Sequence, residues 1–259
     1  MTEPILLSVE DGLARVTLNR PERLNAFNAA MARAWEGVIG EVIGRDDVGA
    51  MLLHGSGPAF CAGGDVADMA TTMSSGAELE ELAHQINRGI LALTESTVPV
   101  VLASHGATAG GGLGIFLCSD YAVAGRGAKI GSRYANMGLT PDLSVTAQLA
   151  RAVGERRALQ LVLTDRMLTA DEALEWGLVA EVVDDAEVLA RAEEVARGWL
   201  GGATRAYGQA KRLVRSASGR SFEEQLATEA HSIGESFETA DAKGRIAAFL
   251  EASRRRRQG

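Results

Sequence analysis

From Ser96 to Ser119 the chain carries no Asp, Glu, Lys or Arg, and this charge-free run constrains the fold more than any other feature. A run of this kind either crosses a membrane or lies buried in a globular core. Pro99, Ser104, His105 and five glycines interrupt it, which favours a buried strand, a turn and a helix over a spanning segment. Val98-Pro-Val-Val-Leu-Ala103 reads as the strand, and Gly110-Gly-Gly-Leu-Gly-Ile-Phe-Leu-Cys118 opens the helix. With 259 residues and 46% hydrophobic content, the chain can supply a core large enough to bury both.

The flanking sequence repeats that alternation. Ile5 to Val9 and Ala14 to Leu18 flank Glu10-Asp-Gly-Leu, a hairpin signal, and Asn28 is placed to cap a helix that follows. Gly49 to His54 is a strand leading into Gly55-Ser-Gly-Pro-Ala-Phe-Cys-Ala-Gly-Gly-Asp65, after which Val66 to Ser75 and Glu78 to Thr94 have helical spacing. Asp120 to Ala124 and Ala128 to Ile130 are short strands. Strand, strand and helix thus recur about three times before the chain turns almost wholly helical, and Thr169-Ala-Asp-Glu172 is a capping box closed by Gly177. An α/β core with a helical C-terminal extension is expected, with no Pro-, Ser- or charge-rich linker between them.

A net charge of −8 disfavours a nucleic-acid groove, which needs clustered Lys and Arg. The basic run Arg254 to Arg257 reads as a solvated tail. Cys61 and Cys118 are too few for a disulfide framework, and the N-terminal stretch has no basic segment or apolar run of signal-peptide length, so a reduced, cytoplasmic setting is expected. No membrane partner is expected. His54, His84, His105 and His231 are scattered without metal-ligand spacing, so no metal site is expected.

Two glycine clusters, Cys61-Ala-Gly-Gly64 and Gly110-Gly-Gly112, each lie between a strand and a helix, where outward backbone N–H groups favour negative charge. Neither G-x-G-x-x-G nor the P-loop pattern occurs, and no G-x-S-x-G elbow supplies a serine nucleophile. An oxyanion hole for a carbonyl remains, and it suits proton abstraction alpha to that carbonyl. Asp142, the only charge in Met137-Gly-Leu-Thr-Pro-Asp-Leu-Ser-Val-Thr146, has two open readings. It caps the helix expected over Leu143 to Arg151, or it is a working carboxylate whose apolar surround resists ionisation.

Four stretches taken in order, Val16 to Phe27, Ala59 to Asp65, Gly106 to Gly114 and Leu168 to Val179, resemble the enoyl-CoA hydratase/isomerase, or crotonase, family over nearly the whole chain. The resemblance implies a spiral of ββα repeats binding acyl-CoA over residues 1–195. Residues 196–259 then form a helical region for trimer assembly, as a homotrimer or dimer of trimers, and for active-site cover. It implies an acyl-CoA thioester as substrate, with coenzyme A part of that substrate and no separate cofactor. The backbone N–H groups of Gly64 and Gly111 become the oxyanion donors, and Arg23, Leu24, Ala26 and Ala62 the coenzyme A contacts.

Where the family's hydratases place two glutamates this chain has Gly114 and Tyr134. Asp142, eight residues after Tyr134, stands where dienoyl-CoA isomerases, the epoxide isomerase of phenylacetyl-CoA breakdown and aryl-CoA dehalogenases place an Asp. The dehalogenase aromatic partners are not matched: Tyr134 and Gly64 fill their places, and Asn87 stands in the catalytic-histidine place, with His84 one turn away. Ala252 replaces a lysine that reaches coenzyme A across a subunit boundary, leaving Arg254 as a substitute from the tail. His105, in place of Asn before the glycine, reads as a structural hydrogen-bonding residue. The expected activity is an isomerase moving a double bond or proton through an enolate. A hydratase with non-standard residues, a dehalogenase-like hydrolase and a non-catalytic thioester-binding protein remain the alternatives.

Overall fold

A computed structural model describes residues 3–258. The hairpin forms as expected: β1 (Ile5–Glu10) pairs antiparallel with β2 (Leu13–Leu18) through Asp11 and Gly12, both at positive φ. Helix α1 (Ala29–Ile43) follows, its Met31 N–H donating to the Asn28 side chain at 3.1 Å. Strand β3 (Ala50–Gly55) then lies parallel to β2, and β4 (Val100–Ser104) parallel to β3. Strands β6 (Tyr121–Gly125) and β9 (Glu181–Val183) complete a six-stranded sheet in the order β1-β2-β3-β4-β6-β9.

Both faces of that sheet are covered, so its parallel strands are apolar along their length. Met51 and Leu53 enter one core with Trp35, Phe60 and Phe116, while Ala50 and Leu52 enter another against α8 (Val188–Leu200) through Val188, Ala192 and Ala196. Alternate residues of one strand therefore serve two cores, as the period of two requires.

A second sheet joins β5 (Ala107–Ala109), β7 (Lys129–Gly131) and β8 (Met167–Thr169). Of the three-residue strands, β7 is expected from Ala128 to Ile130, whereas β5, β8 and β9 carry no alternation that sets them apart in the sequence. The remaining helices before α8 are α2 (Val66–Thr72), α3 (Gly76–Glu95), α4 (Gly111–Leu117), α5 (Val145–Val153), α6 (Glu155–Val162) and α7 (Ala170–Trp176). The Thr169 and Glu172 capping box and the Gly177 C-cap form as read.

Helices α9 (Thr204–Ser216), α10 (Phe222–Phe237) and α11 (Ala240–Gln258) follow. The division expected at 195/196 falls inside α8, which packs on the core sheet. Arg254 to Arg257 lie exposed on α11. Among the described residues no helix is long and apolar enough to cross a membrane.

Candidate active site

The two glycine loops meet backbone to backbone. Phe27 N–H donates to Gly63 O at 2.7 Å and Asp65 N–H to Phe27 O at 2.9 Å, seating the first loop. Cys61 bridges to Thr108 through Cys61 N–H to Ala107 O at 3.1 Å and Ala109 N–H to Cys61 O at 3.0 Å, locking the second loop beside it. Gly63, at φ +108°, leaves no room for a side chain: a Cβ there would sit 2.9 Å from Ala109 O and 3.2 Å from Gly111 N. Gly110, at φ 52° and ψ −129°, turns the chain into α4 in a conformation open essentially to glycine alone. Gly64 and Gly111 are thereby brought onto one cavity, and among the described residues neither N–H donates to a backbone carbonyl.

That cavity holds about 480 Å³ and is lined by Gly64, Gly111, Tyr134, Asp142 and the apolar side chains of Phe27, Met69, Leu82, Ile86 and Leu143. Helix α3 can bring Leu82 and Ile86 to it because α1 and α3 pack very closely. Trp35 Nε1 donates to Ile86 O at 3.2 Å, and a Cβ at Gly89 would lie 2.3 Å from Trp35 Nε1.

Asp142 is no helix cap. The N-cap of α5 is Ser144, which makes no side-chain capping bond, and the helix begins two residues later than expected. Leu143 and Ser144 both take positive φ, at 48° and 67°, and this double left-handed turn separates the carboxylate from the helix N–H groups. Asp142 Oδ1 accepts a hydrogen bond from the Tyr134 hydroxyl instead. Burial pushes the Asp142 carboxyl above the ordinary carboxylate range, opposed by the Tyr134 hydrogen bond. Burial and the adjacent Asp142 charge raise the Tyr134 phenol, so Tyr134 stays a neutral donor at working pH.

Gly114, where the family's hydratases carry a glutamate, proves sterically closed. A Cβ there would meet Leu143 O at 2.3 Å and Leu143 Cβ at 2.7 Å. The backbone of the Asp142 turn occupies the space that a glutamate stem would need.

Of the four expected coenzyme A contacts only Ala62 lines the cavity. Arg23 and Leu24 are exposed on the turn before it, and Ala26 is buried with its carbonyl accepting from Arg20 Nη1 at 2.5 Å. Arg20, inside the first matching stretch, carries no sequence signal that marks it as part of the site. It pairs with buried Asp65 at 3.0 Å and braces the loop carrying Gly64. Burial raises the Asp65 pKa, but the Asp68 N–H and Arg20 outweigh it, so its carboxyl sits below its ordinary range. Asn25, fully buried, ties the same turn to Ser56 O and Ala59 O at 2.9 Å each. A buried Asn and an Arg in Asn19-Arg-Pro-Glu-Arg-Leu-Asn25 could have been suspected only as turn residues.

Glu80 also borders the cavity, but its side chain is 74% exposed and pairs with His84 at 3.6 Å, which puts it at the rim. His105 Nε2 bonds Gly57 O at 2.9 Å, the structural role expected of it. Burial pushes the Cys61 thiol up to about 12, which leaves it inert as a nucleophile. Among the described residues no group of three His, Cys, Asp or Glu is placed to hold a metal ion. Among the described residues none from 196 onward lines the cavity.

The enoyl-CoA hydratase/isomerase family model matches residues 8–257. The chain belongs to the enoyl-CoA hydratase/isomerase family. Short-chain-enoyl-CoA hydratase from Clostridium acetobutylicum is 33% identical over 95% of this chain and 94% of the relative. The 1,2-epoxyphenylacetyl-CoA isomerase of Escherichia coli is 34% identical over 96% of each. The crystal structure of an enoyl-CoA hydratase from Mycobacterium smegmatis superposes with a TM-score of 0.90 at 28% identity, over 96% of both chains. The crotonase fold of this family member follows, and with it acyl-CoA processing as the general activity. Hydratases and isomerases both stand among its relatives, so the fold leaves the choice of reaction to the residues in the cavity.

Proposed function

We propose that this enoyl-CoA hydratase/isomerase family member is an acyl-CoA isomerase with Asp142 as its proton shuttle. One observation carries the reading: a half-buried carboxylate, hydrogen-bonded to Tyr134, shares the cavity of Gly64 and Gly111, while the turn that carries it fills the hydratase glutamate's place. The thioester carbonyl accepts from the Gly64 and Gly111 N–H groups, which stabilise charge as it develops on that oxygen. Asp142 takes a proton from the acyl chain; the C–H electron pair moves into an enolate whose oxygen rests on the two N–H groups. The enolate then collapses, and the Asp142 O–H returns its proton to a different carbon, so no water and no redox partner is consumed.

The environment of Asp142 suits that cycle. A carboxyl raised by burial is a stronger base once ionised and readily holds the proton between the two transfers. Tyr134 orients it through a bond that persists in both half-reactions. Coenzyme A is carried by the substrate, its contacts falling to the turn of Arg23, Leu24 and Ala26 beside Ala62.

Homotrimer or dimer-of-trimers assembly through the C-terminal helices accompanies this reading. Phe222, Ile233 and Phe249 on α10 and α11 are 79%, 73% and 70% exposed, a concentration of large apolar side chains on two helices that is costly for a monomer. A second copy also offers a source for the missing active-site cover.

The test is Asp142→Asn with straight-chain, branched and aromatic acyl-CoAs, followed by double-bond migration and by exchange of alpha protons with deuterated water. Loss of both, with acyl-CoA affinity retained, is expected. Near-full turnover of the variant refutes the reading.

A further inference from the structure

We propose that Arg215, on α9, is a positioning residue that holds the Asp142 turn in place through Gln148 and Ser144. The inference rests on the reading of Asp142 as the working carboxylate. It begins with backbone strain. Leu143 and Ser144 are consecutive non-glycine residues in the left-handed region, and Leu143 is bulky. Such residues persist only where the surroundings over-determine them. Among the described residues, the one side-chain hydrogen bond reaching these two positions runs from Gln148 Nε2 to Ser144 Oγ, at 2.7 Å.

Gln148 is buried at 7% exposure, and its amide can face either way unless a neighbour decides. Arg215 decides it. A guanidinium has donors and no acceptor, so Arg215 Nη1, 2.6 Å away, requires Oε1 and thereby turns Nε2 toward Ser144.

The same guanidinium is anchored independently. Its Nε and Nη2 donate to Asp120 Oδ1 at 3.1 and 2.9 Å. Nη1 also donates to Leu117 O at 3.3 Å, and Nη2 to Ser119 O at 2.5 Å. Leu117 is the last residue of α4, the helix whose first residue is Gly111, and Ser119 follows its C-cap Cys118. Arg215 therefore ties the far end of the helix bearing one oxyanion donor to the helix that follows the carboxylate's turn. Leu143 closes the triangle, since its Cδ1 lies 2.9 Å from where a Gly111 Cβ would be. A rotation of the 143–144 turn moves Asp142 relative to both Tyr134 and Gly111.

Gln148→Leu removes the relay at similar size. The expected result is a fall in kcat of about 100-fold, the scale of an ångström's misplacement, with KM for the acyl-CoA changed less than about threefold. Amides of residues 139–145 should exchange with deuterium faster while those of β3 and β4 hold their protection. Gln148→Glu keeps the acceptor for Arg215 and can accept from the Ser144 hydroxyl, so it should regain most of the lost kcat. Arg151→Met, a neighbour with no bond to Gln148, serves as the control and leaves kcat unchanged. Ser144→Ala breaks the same bond without touching Arg215, and should reproduce the faster exchange at 139–145 even if Gln148→Leu does not fold. Unchanged exchange in that segment for either variant overturns the proposal. So does unchanged kcat in Gln148→Leu when Asp142→Asn has abolished turnover. If Asp142→Asn remains active, the catalytic reading falls, and the exchange data alone decide the positioning claim.

Discussion

Gly114→Ala sets two physical effects against each other in one methyl group. Gly114 lies inside α4, where alanine is favoured over glycine by about 1 kcal/mol of helix propensity. The new Cβ, however, would stand 2.3 Å from Leu143 O, 2.7 Å from Leu143 Cβ and 3.2 Å from Leu143 C. Ordinary contact begins near 3.4 Å, so the turn must retreat by about 1 Å. Two of the three opposing atoms are backbone, and Leu143 already sits at positive φ, so no rotamer change relieves the clash. Overpacking of this kind costs about 1–3 kcal/mol, and strain in the turn adds to it. With about 1 kcal/mol of strain against the similar gain in propensity, the net loss is about 1–3 kcal/mol, or a Tm lowered by roughly 2–12 °C for a chain of this size. Turnover suffers more than stability: Asp142 precedes Leu143, and an ångström's displacement of a reacting group costs about 100-fold. Thermal unfolding and alpha-proton exchange on the same preparation check both numbers. A raised Tm with turnover intact would mean that propensity wins, and that Leu143 does not occupy the glutamate's place.

Asp142→Asn should lower isomerisation by about 10²–10⁴-fold, the usual contribution of a positioned base, read from steady-state rates. Because burial raises the Asp142 pKa, its contribution to stability is present below the unfolded pKa and lost as pH rises through the folded one. The same variant should therefore unfold at a higher temperature than the parent near pH 7 but not in the acid range, checked by melts across pH. Tyr134→Phe removes the hydrogen bond that opposes that shift, so the acidic limb of the pH–rate profile should move to higher pH; a limb that stays in place contradicts the pairing. Arg20→Met leaves buried Asp65 without its cation and should cost about 3 kcal/mol in urea unfolding at pH 7. Asp65 is held below its ordinary range, so its stabilisation exists above the unfolded pKa and fades as pH falls through the folded one. The difference between parent and variant should accordingly shrink in acid.

Much of this molecule is legible in one dimension. The hairpin, the β3 and β4 strands, the capped helices α1 and α7 and the glycine loops follow from local rules: period, cap chemistry and turn residues. Gly64, Gly111, Tyr134 and Asp142 could be singled out because motif order survives without coordinates. Of the three-residue strands only β7 could be, from Ala128 to Ile130; β5, β8 and β9 could not, since pairing with distant segments makes them strands and leaves no local signal. Arg20 and Arg215 were equally silent, because an arginine that braces a site reads the same as one on the surface until its partners are known.

Residue types and their order, by themselves, determined the family's fold, the two glycine loops and the absence of the hydratase glutamates. Only the tertiary structure decided that the Asp142 carboxylate faces Tyr134 in the cavity and does not cap α5. A cap and a cavity acid look alike in Leu139-Thr-Pro-Asp142-Leu, and they differ in the two dihedrals that follow. Those dihedrals are held by Gln148, by Arg215 from α9, which begins sixty residues further along the chain, and by the space that Gly114 leaves open. Contacts between distant segments set them, and no local propensity encodes such contacts.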